Sequence, residues 1–99
     1  MQTLCVFVNS SLAGEWIPDN SEQLTIGRAP DNLISLADST VDSYHAKVVW
    51  MERRFFIVDC LSLNGTFLNW HLIDSAALRD KDFVLVGKTH IGFRIMNIG

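Results

Sequence analysis

The stretch Thr40–Ala46, TVDSYHA, lies at the centre of a chain that otherwise consists of short apolar runs. Small and polar residues lead into it, and a run of alternating apolar residues leads out of it to Trp50. This pattern is typical of a surface loop that ends on a strand of a sheet. Because binding residues concentrate on loops that a rigid scaffold positions, we take this loop as the first candidate for a functional site.

Short runs with a period of two residues flank this loop on both sides, and clusters of Gly, Pro, Asn, Asp and Ser separate them. The predicted strands are 3–8, 15–17, 23–27, 33–35, 44–50, 55–58, 66–68, 70–73, 83–86 and 90–95. Turns are predicted at 9–11, 18–20, 29–32, 52–54 and 87–88, and a single helical turn at 74–79. About ten short strands with almost no helix predict an all-β sandwich or barrel.

Length and composition limit the class of protein. Ninety-nine residues, 48% of them apolar, are enough for one folded domain, 1–99, which we expect to be the N-terminal domain of a larger protein. The net charge of −3 excludes a general electrostatic attraction to nucleic acid, and no apolar run is long enough to insert into a membrane. The widely spaced Cys5 and Cys60 predict reduced core thiols. We therefore expect an intracellular location, cytoplasmic or nuclear.

Three motifs, taken together with their spacing, resemble a forkhead-associated (FHA) domain. They are Ile26-Gly27-Arg28, His45-Ala46-Lys47-Val48 and the run NGTFLN at 64–69. The resemblance covers nearly the whole chain, from Leu4 to Ile95. It implies a β-sandwich of two antiparallel sheets with about ten to eleven short strands. It also implies a protein–protein interaction module whose loops bind a partner protein or peptide, most often one that contains phosphothreonine.

The resemblance also implies a role for individual residues. Arg28 corresponds to the residue that contacts the phosphate, and Asn64 to the residue that holds the peptide backbone. In the family pattern a Ser three residues before His45 and a Thr or Ser just before Asn64 donate further bonds to the phosphate. The residues implied to maintain loop geometry are Gly27, His45, Gly65 and Thr66.

The sequence departs from this pattern at two of the donor positions. Asp42 stands where the family has the Ser, and Leu63 stands where it has the Thr or Ser. Ser43 occupies a position where the family often has an Arg or Asn that touches the peptide. A carboxylate beside a phosphate is repulsive, so these changes predict that phosphothreonine recognition is weakened or altered.

Two functions remain open from the sequence. The first is a phosphopeptide-binding module that uses Arg28, Ser43 and Asn64 with altered specificity. The alternative is a phospho-independent assembly or scaffolding domain in which Arg28 and Asp42 form an internal pair. The oligomeric state is left open.

Catalytic, metal and cofactor chemistry have no supporting motif. Asp42, Ser43 and His45 are close in sequence, but adjacent residues on a loop entering a strand point in different directions. No His, Cys or acidic residues have metal-ligand spacing, so we expect no enzyme activity, no metal and no cofactor. Trp70 follows the 64–69 loop, where an exposed Trp would serve as an anchor for a protein contact.

Overall fold

The computed structural model describes residues 1–18 and 22–97 and contains eleven strands. The strands are β1 (Gln2–Val8), β2 (Ser11–Trp16), β3 (Leu24–Gly27), β4 (Ile34–Ser35), β5 (Ala46–Met51), β6 (Arg54–Asp59), β7 (Thr66–Leu68), β8 (His71–Ile73), β9 (Ser75–Ala77), β10 (Phe83–Val86) and β11 (Thr89–Asn97). None of the described residues forms a helix that is long and apolar enough to cross a membrane.

The strands form two sheets that pack face to face. One has six strands in the order β2-β1-β11-β10-β7-β8, and the other has five in the order β4-β3-β5-β6-β9. Among the described residues, neighbouring strands pair antiparallel except β3 and β4, which form a two-residue parallel pair. The predicted all-β, two-sheet sandwich is therefore confirmed, with one short parallel pairing that the prediction did not include.

The core lies between the sheets and is built from the inward-facing residues of each strand. The apolar side chains with at most 1% exposure are Leu4, Val6, Ile26, Val41, Val48, Phe55, Ile57, Val84, Val86, Ile91 and Phe93. Val41 belongs to this set although it precedes β5, so the core anchors the predicted loop. Cys5 and Cys60 are free thiols, as predicted, but both are only half-buried, because they lie outside the layer between the sheets.

The predicted helical turn at 74–79 is wrong, because this segment contains strand β9. Ser75–Ala77 pairs with β6, and the ladder is extended by the Asp59 N–H donating to the Asp74 carbonyl at 2.8 Å. A single helical turn gains few hydrogen bonds, whereas here the segment satisfies the free edge of β6 and buries Leu78. β2 also differs from its prediction, since it begins at Ser11 and ends before Ile17. The predicted turn at 18–20 lies mostly outside the described residues.

The tryptophans occupy three different environments. Trp16 is buried at 6% exposure and Trp50 is half-buried against the core. Trp70 lies in the tight turn between β7 and β8, where both Asn69 and Trp70 have positive φ. The side chain of Trp70 is 65% exposed.

Candidate functional site

Three loops meet at one end of the sandwich and form what we call the loop cluster, residues 28–33, 36–45 and 60–65. The antiparallel pairing of β3 with β5 continues beyond the strand ends into this cluster. The Arg28 N–H donates to the Asp42 carbonyl at 2.9 Å, and the His45 N–H donates to the Ile26 carbonyl at 2.9 Å. The predicted site residues from two separate motifs are thus fixed side by side by backbone hydrogen bonds.

Gly27 permits this close approach of the two segments. A Cβ atom at position 27 would lie 2.2 Å from the Ser43 carbonyl oxygen, a backbone atom that cannot move without shifting the loop. The buried side chain of Asn32 adds a second tie, since its Nδ2 donates to the Ala29 carbonyl at 2.9 Å and to the Ser43 carbonyl at 2.7 Å. Sequence reasoning treated Asn32 only as part of a turn and missed this role.

Arg28 and Asp42 do not form the internal ion pair of the alternative prediction, which is therefore wrong on this point. Arg28 is exposed, and its Nε donates to the Val41 carbonyl at 3.1 Å. The Asp42 carboxylate instead accepts from the Leu63 N–H at 2.9 Å. Among the described residues the one ion pair joins Arg94 and Asp80. The physical reason is that Asp42 has a backbone donor within reach across the cluster, so it joins two loops without the guanidinium.

His45 is fully buried and connects the 36–45 loop to the 60–65 loop. Its Nδ1 accepts from the Asp42 N–H at 3.1 Å, and its Nε2 lies 2.8 Å from the Gly65 carbonyl. A backbone N–H can donate only to an unprotonated ring nitrogen, so Nε2 carries the proton and donates it to Gly65. Both ring nitrogens are thus engaged by backbone, and the ring is placed to hold the loops rather than to exchange protons with a substrate.

The loop between β6 and β7 is organised around the Asp59 carboxylate. This carboxylate accepts from the Ser62 N–H, the Ser62 hydroxyl and the Thr66 hydroxyl, and Thr66 is fully buried. Desolvation raises the pKa of Asp59, but the hydrogen bonds from Ser62 and Thr66 outweigh it and hold the pKa below its usual value. Gly65 completes the turn with a φ of 87°, a conformation that favours glycine. Asp59 and Ser62 are positioning residues that the sequence analysis did not identify.

The remaining predicted contact residues lie on the surface of the loop cluster. Ser43 and Asn64 are exposed, and Asn64 Nδ2 donates to the Thr40 carbonyl at 3.1 Å. Leu63 is 87% exposed and Leu61 is 97% exposed. The structure therefore brings Arg28, Asp42, Ser43, Leu63 and Asn64 to one end of the molecule, with a charged, a polar and an apolar component.

Asp38 is a further residue that the sequence analysis missed. Its carboxylate accepts from the Thr40 N–H and hydroxyl, and also from the Lys88 N–H at 2.9 Å and the Thr89 hydroxyl at 2.8 Å. It thereby attaches the loop before β5 to the β10–β11 hairpin. These hydrogen bonds, led by the one from the Thr40 hydroxyl, hold the pKa of Asp38 far below its usual value. An Asp two residues before a Thr is a local turn signal that could have indicated the first half of this role.

We expect Asp38→Asn to lower the melting temperature by several degrees at pH 7 and to flatten its dependence on pH. The folded-state pKa of Asp38 is depressed, so its stabilisation is present above the unfolded pKa of about 3.9 and is lost as the pH falls through the folded pKa. Thermal unfolding followed by circular dichroism between about pH 7 and pH 2 measures this. Asp74→Asn, at an exposed carboxylate with no side-chain hydrogen bond to a described residue, is the control. Parallel pH profiles for Asp38→Asn and the native chain would contradict the assignment.

Across residues 1–18 and 22–97, no three His, Cys, Asp or Glu side chains are grouped so that they could hold a metal ion. The acidic residues of the loop cluster are each occupied by N–H or hydroxyl donors. Asp31, at the rim of the cluster, accepts from the Tyr44 hydroxyl at 2.9 Å. The arrangement is thus a set of loops held rigidly from below, with one exposed guanidinium and several exposed side chains available to a partner.

Comparison with known proteins identifies this arrangement. The FHA domain family model matches residues 24–87, which contain all of the predicted site residues, so the chain belongs to the FHA domain family. The solved FHA domain of FhaA, in complex with the intracellular domain of Rv3910, superposes with a TM-score of 0.77 at 26% identity and covers 95% of this chain and 100% of that one. The predicted family and the predicted class, a protein–protein interaction module, are confirmed.

The chain also matches part of two curated proteins, a regulator and an enzyme inhibitor. The glycogen accumulation regulator GarA of Mycobacterium tuberculosis is 43% identical over 67 residues, which are 68% of this chain and 41% of GarA. The oxoglutarate dehydrogenase inhibitor of Corynebacterium efficiens is 39% identical over 69 residues, which are 70% of this chain and 49% of that protein. This chain therefore matches less than half the length of either relative.

Proposed function

We propose that the loop cluster binds a segment of a partner protein and that its dependence on phosphothreonine is weakened or altered. The observation that carries this proposal is that the Asp42 carboxylate lies in the loop cluster, where it accepts from the Leu63 N–H at 2.9 Å. A hydroxyl at position 42 could donate to a phosphate, whereas an ionised carboxylate can only accept. The same position therefore changes from a phosphate donor to a competing anion.

The size of this effect is estimated from two contributions. Phosphothreonine carries roughly −1.5 to −2 charges at neutral pH. Its repulsion from a carboxylate about 5 Å away is on the order of 5 kcal/mol at an effective dielectric constant near 20, and solvent and salt reduce this to ~1–3 kcal/mol. Replacing two hydroxyl donors by Asp42 and Leu63 removes about 1.5–3 kcal/mol of charge-assisted hydrogen bonding for each. Together these losses come to about 4–9 kcal/mol, which is half or more of the roughly 8 kcal/mol that a micromolar interaction supplies.

Arg28 remains available for a negatively charged group on the partner. Its terminal guanidinium nitrogens make no hydrogen bond with any residue in the described part of the chain, and the side chain is exposed. A free guanidinium edge is suited to a carboxylate or a phosphate. If a partner carries a phosphate, any remaining dependence of binding on that phosphate would therefore rely on its contact with Arg28.

Isothermal titration calorimetry with matched phosphothreonine and unphosphorylated peptide libraries tests the proposal. We expect the native chain to prefer the phosphorylated forms by less than about tenfold and Arg28→Ala to remove that preference. Arg53→Ala is the matched control, because Arg53 is also exposed but lies in the turn between β5 and β6. Micromolar or tighter binding that requires the phosphate would overturn the proposal, and phosphate selectivity retained in Arg28→Ala would overturn the role of Arg28.

A phospho-independent assembly domain is the second candidate, and the exposure of Leu61 and Leu63 favours it. Two leucines that are 97% and 87% exposed on a binding loop offer an apolar contact that needs no phosphate. If this candidate is correct, partner binding survives phosphatase treatment and falls when Leu63 is changed to Ser. If partner binding depends on neither phosphate nor Leu63, both candidate functions are excluded for the loop cluster.

We also propose that this chain is one domain of a larger protein. A role as a non-catalytic domain of a larger intracellular protein is supported by the relatives, which are a regulator and an enzyme inhibitor that extend well beyond the matched region. His45 supports it as well, since both of its ring nitrogens are occupied by backbone and neither is available as a general base.

A further inference from the structure

The outer face of the six-stranded sheet carries a continuous strip of apolar side chains. Cross-strand pairing places the outward residues in two rows. One row contains Leu12, Phe7, Gly92 and Phe83, with Trp70 at its end, and the other contains His90, Leu85, Phe67 and Leu72. Leu12, Trp70 and Leu72 are each more than 60% exposed. We call these nine residues the outer strip.

The outer strip contains a projecting group beside a hollow. Trp70 packs edge-on against Phe83, with ring centroids 5.3 Å apart, and against His90 at 5.7 Å, so its indole stands on the outer side of the sheet. Gly92 has no side chain, and a hollow of about 400 Å³ lies over it. Phe7, Phe83 and His90 form its aromatic walls, and Lys81, Asp82 and Arg94 form a charged rim. A surface with a knob and a hollow side by side can be complementary to itself.

On the outer side of the five-stranded sheet, in contrast, a charged side chain covers an aromatic ring. The Arg54 guanidinium lies over the Phe56 ring, 5.8 Å from the centroid, and shields it from water. On the six-stranded sheet the nearby Arg94 is held by Asp80 at 3.0 Å. No described element of the chain lies across the outer strip, since all eleven strands belong to the two sheets. Contiguous exposed apolar patches of this kind mark interaction sites.

We propose that the outer strip is the interface of a two-fold symmetric dimer of this chain. The strand order β2-β1-β11-β10-β7-β8 places the midline of the sheet between β11 and β10. A two-fold axis along this midline places β11 of one copy over β10 of the other. Gly92 then faces Phe83 of the second copy, so an aromatic ring enters the hollow, and Trp70 lies over the Phe7–Leu12 end of the other row. This arrangement satisfies the requirement that a two-fold interface complement itself.

The area agrees with a weak, reversible dimer. Six strands about 4.8 Å apart make a face roughly 24 Å wide. A face of this width contributes roughly 500 Å² from each copy, or about 1,000 Å² in total, which is the lower limit for a specific interface. We therefore expect a dissociation constant on the order of 10–100 µM. At the β8 edge the outer strip adjoins the loop cluster, because Phe67 and Leu72 line a hollow together with Leu63, Asn64 and Gly65.

Sedimentation velocity over about 1–500 µM measures the association. We expect a concentration-dependent shift from monomer to dimer, and Trp70→Asn should weaken it by about 30-fold or more, because a large exposed aromatic anchor is removed. Arg53→Asn is the matched control: Arg53 has positive φ like Trp70, is exposed, and lies in the turn between β5 and β6, away from both proposed contact surfaces. A chain that stays monomeric up to the highest concentration overturns the proposal, and so does an equal effect of the two variants.

Two oppositely charged substitutions, at positions 12 and 70, test the proposed geometry of the dimer. Leu12→Glu and Trp70→Lys should each abolish the dimer, because each buries two like charges near the interface. The double variant should restore it, because position 12 of one copy lies close to position 70 of the other. Aligned sheets cross at about 30°, which displaces edge positions by several ångströms, and the long Glu and Lys side chains span this offset. Within one copy these two positions lie at opposite edges of the same sheet face, so a Glu–Lys contact inside one copy cannot restore association. If the double variant does not associate, the proposed axis is refuted.

Discussion

The double substitution Asp42→Ser, Leu63→Thr is expected to raise the affinity for a phosphothreonine peptide by at least a hundredfold, about 2.7 kcal/mol. The change removes a carboxylate whose screened repulsion of the phosphate is ~1–3 kcal/mol, and it supplies two hydroxyl donors. The scaffold around these positions is already in place, because His45 and Asp59 hold the flanking backbone through their own hydrogen bonds. The loss of the hydrogen bond between the Leu63 N–H and the Asp42 carboxylate should offset only part of the gain. Calorimetry with phosphorylated and unphosphorylated forms of one peptide measures it.

The single variants separate charge from hydrogen bonding. Asp42→Asn removes the negative charge and keeps an oxygen that can accept from the Leu63 N–H, so it should give only the electrostatic part of the gain. Leu63→Thr alone should change little while the Asp42 carboxylate remains. If the double variant binds no better than the native chain, the loop cluster is not a degraded phosphate site. If the native chain already binds as tightly, the repulsion estimate is wrong.

Most of the fold could be predicted because short strands leave strong local patterns. Nine of the ten predicted strands correspond closely to strands of the structure, and the turns at Asn9–Ser10 and Glu52–Arg53 fall where polar residues indicated them. The segment 74–79 was predicted as a helical turn because its local sequence favours helix. It forms a strand because the edge of β6 needs a partner, and this is information that no local window contains.

The site was predictable in position but not in its internal connections. Arg28, His45 and Asn64 were brought together by the family resemblance, and the structure places them in one loop cluster. The pairing of Arg28 with Asp42 failed because proximity of opposite charges was assumed to decide the geometry. The Leu63 N–H, twenty-one residues from Asp42, competes for the carboxylate, and a backbone donor cannot be identified by residue type.

The hydrogen-bond partners of Asp38 and Asp59, which position the loops, could not be predicted from the sequence either. Each carboxylate collects three or four donors, and some of these lie fifty residues away in the sequence. Both pKa values are lowered as a result. An acidic residue with such a network behaves as part of the scaffold, so the three loops form one connected polar unit above the core. Removing a buried member of that unit should therefore affect all three loops.

Replacing His45 with Ala is expected to destabilise the domain by about 3–5 kcal/mol and to lower the melting temperature by about 15 °C or more. The ring is fully buried, so its loss leaves a cavity and two backbone groups, the Asp42 N–H and the Gly65 carbonyl, without their partner. Each buried polar group left unsatisfied costs about 1–3 kcal/mol. Urea and thermal unfolding measure the change. His71→Ala, at an exposed histidine, is the control and should stay within about 0.5 kcal/mol of the native chain.

Two conservative variants show which contact matters more. An Asn at position 45 can offer an acceptor near the Asp42 N–H but cannot reach the Gly65 carbonyl, and a Gln can reach Gly65 with a donor while leaving Asp42 unpaired. Each should recover part of the stability that Ala loses. Since the ring connects the Arg28 side of the loop cluster to the Asn64 side, partner binding should fall with stability in the order native, Gln or Asn, Ala. A His45→Ala chain that unfolds within about 1 kcal/mol of the native one would mean that the loops are held by the Asp38 and Asp59 networks alone.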